Sequence, residues 1–278
     1  MAASYKFKAP ADPEQVVLVT RYELYKHIRS RRLIGILVIE ALVLGLILAL
    51  PAITGKPYPN DSARFIERFT GFTSLLIVIG AVLFAGDAIV AEFQNRTGYL
   101  ILPNPVRRST LFAGKFLAAI IIMFGVVTLY YVVAIIGSAI VTGSITDLVI
   151  QSYLLALLYV VAAAGMGFFI SAVMKGATGA LVFTFAVLFL ILPVVTGVVG
   201  QVGAKPSWSL TFSAETINDV LNTPYPVDSM SHLRFGGQNL TVYNWVPDVS
   251  TGVVVMIIYS VVTIALALFL FKRREMVG

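Results

Sequence analysis

One polar segment, between two long apolar stretches, concentrates the residues that could do specific work in this chain. Residues 92–115 read EFQNRTGYLILPNPVRRSTLFAGK and include an opening glutamate, two prolines and four basic side chains. Pro105 removes a backbone donor and fixes φ at about −65°, so we expect a stiff corner that points Arg107 and Arg108 outward. Such a corner is suited to transmitting force from a soluble partner. An ordinary basic loop would explain the arginines, but not the ordered succession of Glu, Gly, Pro-Val-Arg and Gly-Lys.

The composition argues against most kinds of catalytic site. The chain has no cysteine and only His27 and His232, which excludes thiolate nucleophiles and disfavours a multi-histidine metal site. Gly55-Lys56 and Gly114-Lys115 both lack the upstream glycine and the following hydroxyl residue of a phosphate-binding loop. We therefore expect no catalytic residue, no metal and no cofactor bound by this chain.

Apolar stretches dominate the rest of the sequence. The 278 residues are 58% hydrophobic and 12% charged, with a mean hydropathy of +0.91, whereas ordinary globular domains are about 25% charged. A helix needs roughly 20 apolar residues to cross a bilayer. Six stretches meet that length, at about 33–53, 72–92, 111–142, 153–174, 177–200 and 252–271. The sequence predicts an all-α integral membrane protein with six transmembrane helices.

The distribution of basic residues predicts the orientation of these helices. Fifteen Lys and Arg residues lie on the side of both termini and of residues 92–115, against five on the other side. Because basic loops stay in the cytoplasm, we expect a multi-pass protein of the cell (plasma) membrane with both termini cytoplasmic. The net charge of +6 fits contact with membrane lipid headgroups better than nucleic-acid binding.

Residues 12–32 predict a helix along the cytoplasmic interface. Val17, Leu24 and Ile28 recur at helical spacing and form an apolar stripe. Arg21 interrupts this stripe and would have to extend its charged head to water. A basic flank that only sets orientation is an equal alternative.

The chain divides into four predicted parts. Residues 1–32 form a cytoplasmic tail with the interfacial helix, and 33–200 form the first five transmembrane helices. Residues 201–251 are rich in Pro, Asn, Asp, Ser and Gly, which indicates a small extracytoplasmic cap with a short helix near 214–222 and a strand from Asn239. Residues 252–278 form the sixth helix and a basic cytoplasmic tail.

A few polar residues are candidates for a translocation path or for modification. Glu40 and Asp87 are the acidic residues within predicted spans, where a charge is costly and suggests function; pairing with a nearby Arg or with water is the structural alternative. Thr128 and Tyr131 could line a cavity. Asn60 and Asn239 begin glycosylation sequons on the predicted outer side, although chance explains such tripeptides equally well.

At residues 92–115 the sequence resembles the signature of type-2 ABC (ATP-binding cassette) exporter permeases. In that signature a glutamate ending the second span precedes a glycine, an apolar run, a proline-valine with a basic residue, and a glycine-lysine that opens the third span. The matching residues are Glu92, Gly98, Leu100, Leu102, Pro105, Val106, Arg107, Arg108 and Gly114-Lys115. Two departures are the extra Pro103, in a run about two residues shorter than the common pattern, and the large 201–251 segment.

The resemblance implies a permease subunit of an exporter that works by alternating access. It would pair with a second permease, identical or related, and with two separately encoded cytosolic ATPase subunits that carry ATP and Mg²⁺. Residues 98–106 would be the coupling helix that docks on the ATPase, and 12–32 the connecting helix. The substrate stays open among lipid, glycan, peptide and drug.

Two other classes of function compete with this one. A lipid-modifying membrane enzyme would need a polar constellation near one interface, and only Asp228, His232 and Arg234 offer one, at a spacing that matches no hydrolase motif. A scaffold or channel that does not use ATP, assembled through its outer segment, is the stronger rival.

Overall fold

The computed structural model describes residues 11–94, 107–235 and 238–274. A π-helical turn, Ala186–Ile191, joins two of the helices, and one hairpin is formed by β1 (Ser229–Phe235) and β2 (Gln238–Asn244). The helices are α1 Asp12–Ile28, α2 Arg31–Thr54, α3 Ser62–Phe84, α4 Val90–Gln94, α5 Arg108–Thr142, α6 Leu148–Val173, α7 Ala177–Phe185, α8 Leu192–Gln201, α9 Leu210–Ala214, α10 Thr216–Asp219 and α11 Val249–Arg273.

Six helical units within these residues are long and apolar enough to cross a membrane, which confirms the predicted all-α integral membrane fold. They are α2, α3, α5, α6, the continuous unit Ala177–Gln201 that comprises α7, the π-helical turn and α8, and α11. Only 17% of the residues in the most apolar 18-residue window of α2, and of the unit Ala177–Gln201, are buried, so both helices lie at the periphery of the bundle.

The second span begins earlier and ends earlier than the sequence predicted. Helix α3 starts at Ser62 because the Asp61 carboxylate accepts hydrogen bonds from the Ala63 and Arg64 amides and caps its first turn. Three charged residues in the first two turns, Arg64, Glu67 and Arg68, had hidden the start of the helix from a count of apolar residues. The helix stops at Phe84, and a separate short helix, α4, carries Glu92.

Contacts at the two ends of the bundle show that successive spans run in opposite directions. At one end, called here the terminal end, Arg108 at the start of α5 donates to the Lys272 carbonyl at the end of α11, 2.9 Å away. Arg274 likewise donates to the Met174 carbonyl after α6 at 2.7 Å. The opposite end, called the hairpin end, carries β1 and β2.

Small residues in α6 allow two helices to approach it closely. A Cβ added at Gly167 would lie 2.8 Å from the Ala85 side chain, and one at Gly165 would lie 2.5 Å from the Thr263 hydroxyl on α11. Such contacts need glycine, as at other close helix crossings in membranes. The cluster of small residues at 162–167 therefore serves packing between helices.

Helices α9 and α10 form a plug in the hairpin end. Leu210 and Ile217 are fully buried, and Ser152 of α6 donates to the Ile217 carbonyl at 2.5 Å. The predicted helix near 214–222 is therefore two shorter helices that begin at Leu210. Strand β2 confirms the predicted strand, whereas β1 was missed because the sequence SMSHLRF contains no β-branched residue.

Candidate functional site

A buried lysine at the terminal end joins three helices. The Lys115 ammonium of α5 donates to the Glu23 carboxylate of α1 at 2.5 Å and to the Glu92 carboxylate of α4 at 2.6 Å. The Lys115 side chain is only 4% exposed. An ammonium this far from water needs paired anions to be tolerated, so these bonds hold α1, α4 and α5 in one arrangement.

A second cation, Lys26, balances the charge of this group. We call Glu23, Lys26, Glu92 and Lys115 together the Lys115 cluster. The Lys26 ammonium lies 3.1 Å from Glu23 and 4.0 Å from Glu92, and its side chain is 61% exposed. Burial raises the pKa of Glu23, but Lys115 and Lys26 together outweigh burial and hold that pKa below its usual range. Burial lowers the pKa of the adjacent His27 to about 4, so this imidazole is neutral near pH 7.

The close packing of α1 against α5 explains why a glycine precedes Lys115. A Cβ added at Gly114 would lie 2.5 Å from Cγ1 of Val19 on α1, a separation that side chains do not tolerate. Gly114 therefore provides a notch for α1, and this close approach brings Glu23 within reach of Lys115. Both members of the pair serve the same contact between α1 and α5.

An arginine–carboxylate pair forms the second wall of this region. The Arg32 guanidinium of α2 binds both oxygens of Asp87 at 2.8 and 2.6 Å, and it also donates to the Leu83 carbonyl at 2.8 Å. This two-point geometry is the strong form of the pair. A cavity of about 500 Å³, called here the terminal cleft, lies between this pair and the Lys115 cluster.

Helix α4, which carries Glu92, is held on several sides. The Ser171 hydroxyl of α6 accepts hydrogen bonds from the Ile89 and Val90 amides at 3.0 and 3.1 Å. The Gln94 side chain accepts from the Ala177 amide at 2.6 Å. The Arg274 guanidinium stacks over Phe93, 4.5 Å from the ring centre. A displacement of α4 would therefore act on α6, the start of α7 and the end of α11 together.

The two arginines of the signature have different environments. Arg107 is 75% exposed and pairs with Asp12 at the start of α1 at 2.7 Å. The prediction that Arg108 points outward is wrong, because its guanidinium donates to the carbonyls of Lys272 and Arg274 at 2.9 and 2.7 Å. Carbonyls at a helix C-terminus lack partners within the helix, and they attract this cation toward the bundle.

Several predicted coupling residues lie outside the described residues: Gly98, Leu100, Leu102, Pro105 and Val106. Helix α1 occupies most of the predicted interfacial segment. Its Leu24 is half-buried, Ile28 is 50% exposed, and Arg21 lies exposed with its guanidinium 5.6 Å from the Tyr25 ring centre.

The structure does not bring the four candidate path residues to one place. Asp87 lies in the terminal cleft. Thr128 bonds the Tyr153 hydroxyl at 2.7 Å and Tyr131 bonds the Ser152 hydroxyl at 2.8 Å, so both join α5 to α6 toward the hairpin end. Glu40 is 2% exposed, and neither of its carboxyl oxygens has a hydrogen-bond partner among the described residues.

The remaining candidates lie toward the hairpin end. Asn60 is exposed between α2 and α3, and Asn239 lies in β2. The Asp228 carboxylate accepts from the Lys205 ammonium at 3.0 Å and from the Val246 amide at 2.7 Å. His232 instead lies 3.3 Å from the Thr241 hydroxyl within the hairpin, so Asp228 and His232 of the rival enzyme hypothesis have separate structural partners.

Three residues that anchor this end of the bundle were not predicted from the sequence: Glu23, Ser171 and Arg274. Glu23 carried the one usable signal, because an acidic residue within a strongly basic segment suggests a specific cation partner. Ser171 and Arg274 lie far in sequence from the residues that they contact, and sequence patterns offer no signal for such bonds.

Comparison with known proteins identifies the family. No curated protein matches the chain. The family model described as "ABC-2 family transporter protein" matches residues 17–276, a range that includes the Lys115 cluster, the terminal cleft and all six membrane-spanning units. Members of this family are permeases that generally work with ATPase subunits. The chain therefore belongs to the ABC-2 transporter family and is a multi-pass permease component of an ABC transporter.

Proposed function

We propose that this permease couples ATP hydrolysis by two separate cytosolic ATPase subunits to substrate export by alternating access. The Lys115 cluster is the observation that carries the proposal. It brings together Glu92 and the Gly114-Lys115 pair, which stand at opposite ends of the family signature in sequence. The connection between them, where the coupling helix is expected, would transmit its movement through this cluster.

Both ends of that connection are tied to the same helix. Glu92 on the N-terminal side reaches Glu23 of α1 through Lys115, and Arg107 on the C-terminal side pairs with Asp12 of α1. A partner that pushes on the connection would thus move α1 from two points. This arrangement supports the assignment of α1 as the connecting helix.

Helix α5 provides a route for this movement across the membrane. Its 35 residues extend over roughly 52 Å at about 1.5 Å per residue, which exceeds a hydrocarbon core of about 30 Å. Lys115 lies near its terminal end. Further along, the Tyr130 hydroxyl donates to the Phe69 carbonyl of α3 at 2.9 Å, so tilting of α5 would reach the opposite side of the bundle.

The proposal includes an orientation and an assembly. The basic residues assign the terminal end to the cytoplasm and the hairpin end to the outside of the plasma membrane. The sparsely buried α2 and Ala177–Gln201 offer apolar surface to lipid and to a second permease copy or paralogue. ATP and Mg²⁺ would bind to the ATPase subunits, whose unequal affinity for the two permease conformations would drive the cycle.

Purification from the native cells in mild detergent tests this proposal. We expect the wild-type chain to retain an ATPase with a phosphate-binding loop, and a variant with Glu92→Ala, Arg107→Ala and Arg108→Ala to lose it. Asp147→Asn, which changes an exposed carboxylate at the hairpin end, is the matched control and should retain the ATPase. Absence of any ATPase from the wild-type complex would contradict the proposal and favour the scaffold or channel.

A further inference from the structure

A second cavity, of about 620 Å³, lies at the hairpin end between α3, the unit Ala177–Gln201 and the plug formed by α9 and α10. Its volume falls within the roughly 300–1,000 Å³ range of small-molecule sites. Leu188 and Phe189, which line it, belong to the π-helical turn. Irregular turns of this kind occur frequently at functional sites. We call this space the hairpin-end cavity.

The walls of the hairpin-end cavity change from polar to apolar with depth. Along α3 the lining passes from Thr70 and Ser74 to Val78, a distance of about 12 Å at roughly 1.5 Å per residue. Along the facing unit it passes from Thr196 to Leu188, again about 12 Å. Because both walls change in the same direction, the cavity matches a molecule with a polar head and an apolar chain.

Two carboxylates lie at the polar end of this cavity. Glu215 and Asp219 line it from α10 and its first flanking residue, and as residues four apart they project from the same side of the short helix. Within the described residues neither carboxylate pairs with a cation or accepts a hydrogen bond. The described lining contains no Lys, Arg or His; Arg64 and Arg68 line a neighbouring space instead.

Negative charge on neighbouring side chains acts on both carboxylates. Desolvation by the packed helices raises the pKa of Glu215 to about 7 although part of its surface stays exposed, and the charge of Asp219 adds to this effect. Burial together with the charge of Glu67 raises the pKa of Asp219 to about 6. An anionic head group at this position would be repelled, whereas a cation would relieve the repulsion between the carboxylates.

We propose that the hairpin-end cavity binds a cationic amphiphile, with an ammonium head at Glu215 and Asp219 and an apolar chain between α3 and the π-helical turn. This assigns a substrate class to the transporter and in that respect rests on the proposed function. The binding step itself needs only this chain.

Direct binding measurements on the purified chain in phosphatidylcholine nanodiscs test the proposal. The probe is radiolabelled octyltrimethylammonium at about pH 8, above both carboxyl pKa values, with tetramethylammonium and octyl sulfate as competitors and empty nanodiscs to measure partition into lipid. We expect saturable binding of octyltrimethylammonium, with only weak competition from octyl sulfate and from tetramethylammonium. The variant with Glu215→Gln and Asp219→Asn should lose affinity by about tenfold or more, and Asp147→Asn should not.

A second variant tests whether the probe occupies the hairpin-end cavity itself. A Cβ at Gly197 meets no atom within 4 Å, so Gly197→Leu can fill the space without disturbing the fold and should also weaken binding. Unchanged affinity in the carboxylate variant, or equally strong binding of octyl sulfate, would overturn the inference. If binding fails while the ATPase still co-purifies, the inference alone is wrong; if binding holds without any ATPase, the exporter proposal alone is wrong.

Discussion

Acidic side chains have opposite environments at the two ends of the bundle. At the terminal end, Glu23 and Glu92 share the buried Lys115 ammonium. At the hairpin end, Glu215 and Asp219 face a cavity with no cation partner among the described residues. Charges satisfied within the chain fix helices relative to one another, whereas charges left open are available to something that the chain does not contain. The comparison therefore separates a mechanical site from a binding site.

The largest expected effect follows from removing the cation of the terminal cluster. Lys115→Met removes the buried cation that Glu23 and Glu92 share, which should destabilise the fold by about 3–5 kcal/mol. Lys26→Met removes a cation that is 61% exposed and should cost at most about 1 kcal/mol. Unfolding in a denaturing detergent series measures both. Equal losses would show that the buried pair is not what holds this end together.

The packing notch at Gly114 gives the next largest effect. Gly114→Ala places a Cβ 2.5 Å from Val19, and such overpacking should cost about 1–3 kcal/mol. Gly125→Ala on the same helix meets no atom within 4 Å and should be neutral or slightly stabilising. Adding Val19→Ala should recover part of the loss at Gly114. If the two glycine variants have the same stability, the close approach of α1 is not needed.

Glu40 adds a third case, because neither of its buried carboxyl oxygens has a hydrogen-bond partner among the described residues. A buried polar group without a hydrogen bond costs about 1–3 kcal/mol, so Glu40→Leu should raise the free energy of unfolding by about 1 kcal/mol. Leu44→Ala, one turn further on the same buried face, should lower it. A stabilised Glu40→Leu variant that no longer transports would place this residue on the translocation path, while a destabilised variant would mean that Glu40 has a partner.

The smallest effects should appear in the pH dependence of stability, with opposite signs at the two ends. The His27 pKa is lowered from 6.5 to about 4, so its contribution is present above about pH 6.5 and is lost as the pH falls toward 4. The Glu215 pKa is raised from 4.5 to about 7, so stability is gained as the pH falls through 7.

Unfolding midpoints at about pH 8 and about pH 5.5 distinguish the two contributions. His27→Gln should reduce the loss of stability on acidification, and Glu215→Gln should remove the gain. A change of the same sign in both variants would contradict the difference between the two ends.

Local properties of the chain were sufficient to predict much of the fold. The six spans, the α1 helix and strand β2 follow from hydropathy and residue spacing, and the order of Glu92, Gly114 and Lys115 led to the family. The charged start of α3 was missed because a count of apolar residues does not detect a helix whose first turn is stabilised by the Asp61 cap. The short helix near 214–222 was predicted as part of an extracytoplasmic cap, whereas the structure has two short helices, α9 and α10, whose Leu210 and Ile217 are fully buried.

The amino-acid sequence was enough to predict how many helices cross the membrane, where the charges lie along the chain, and which family the chain belongs to. The helices follow from neighbouring residues and from the free energy of moving each segment into lipid. Which charges meet depends on contacts between helices that are distant in sequence. Glu23, Glu92 and Lys115 come from three helices, and the approach of α1 at Gly114 joins them, whereas Glu215 and Asp219 lie open because no basic side chain of the described lining is folded against them.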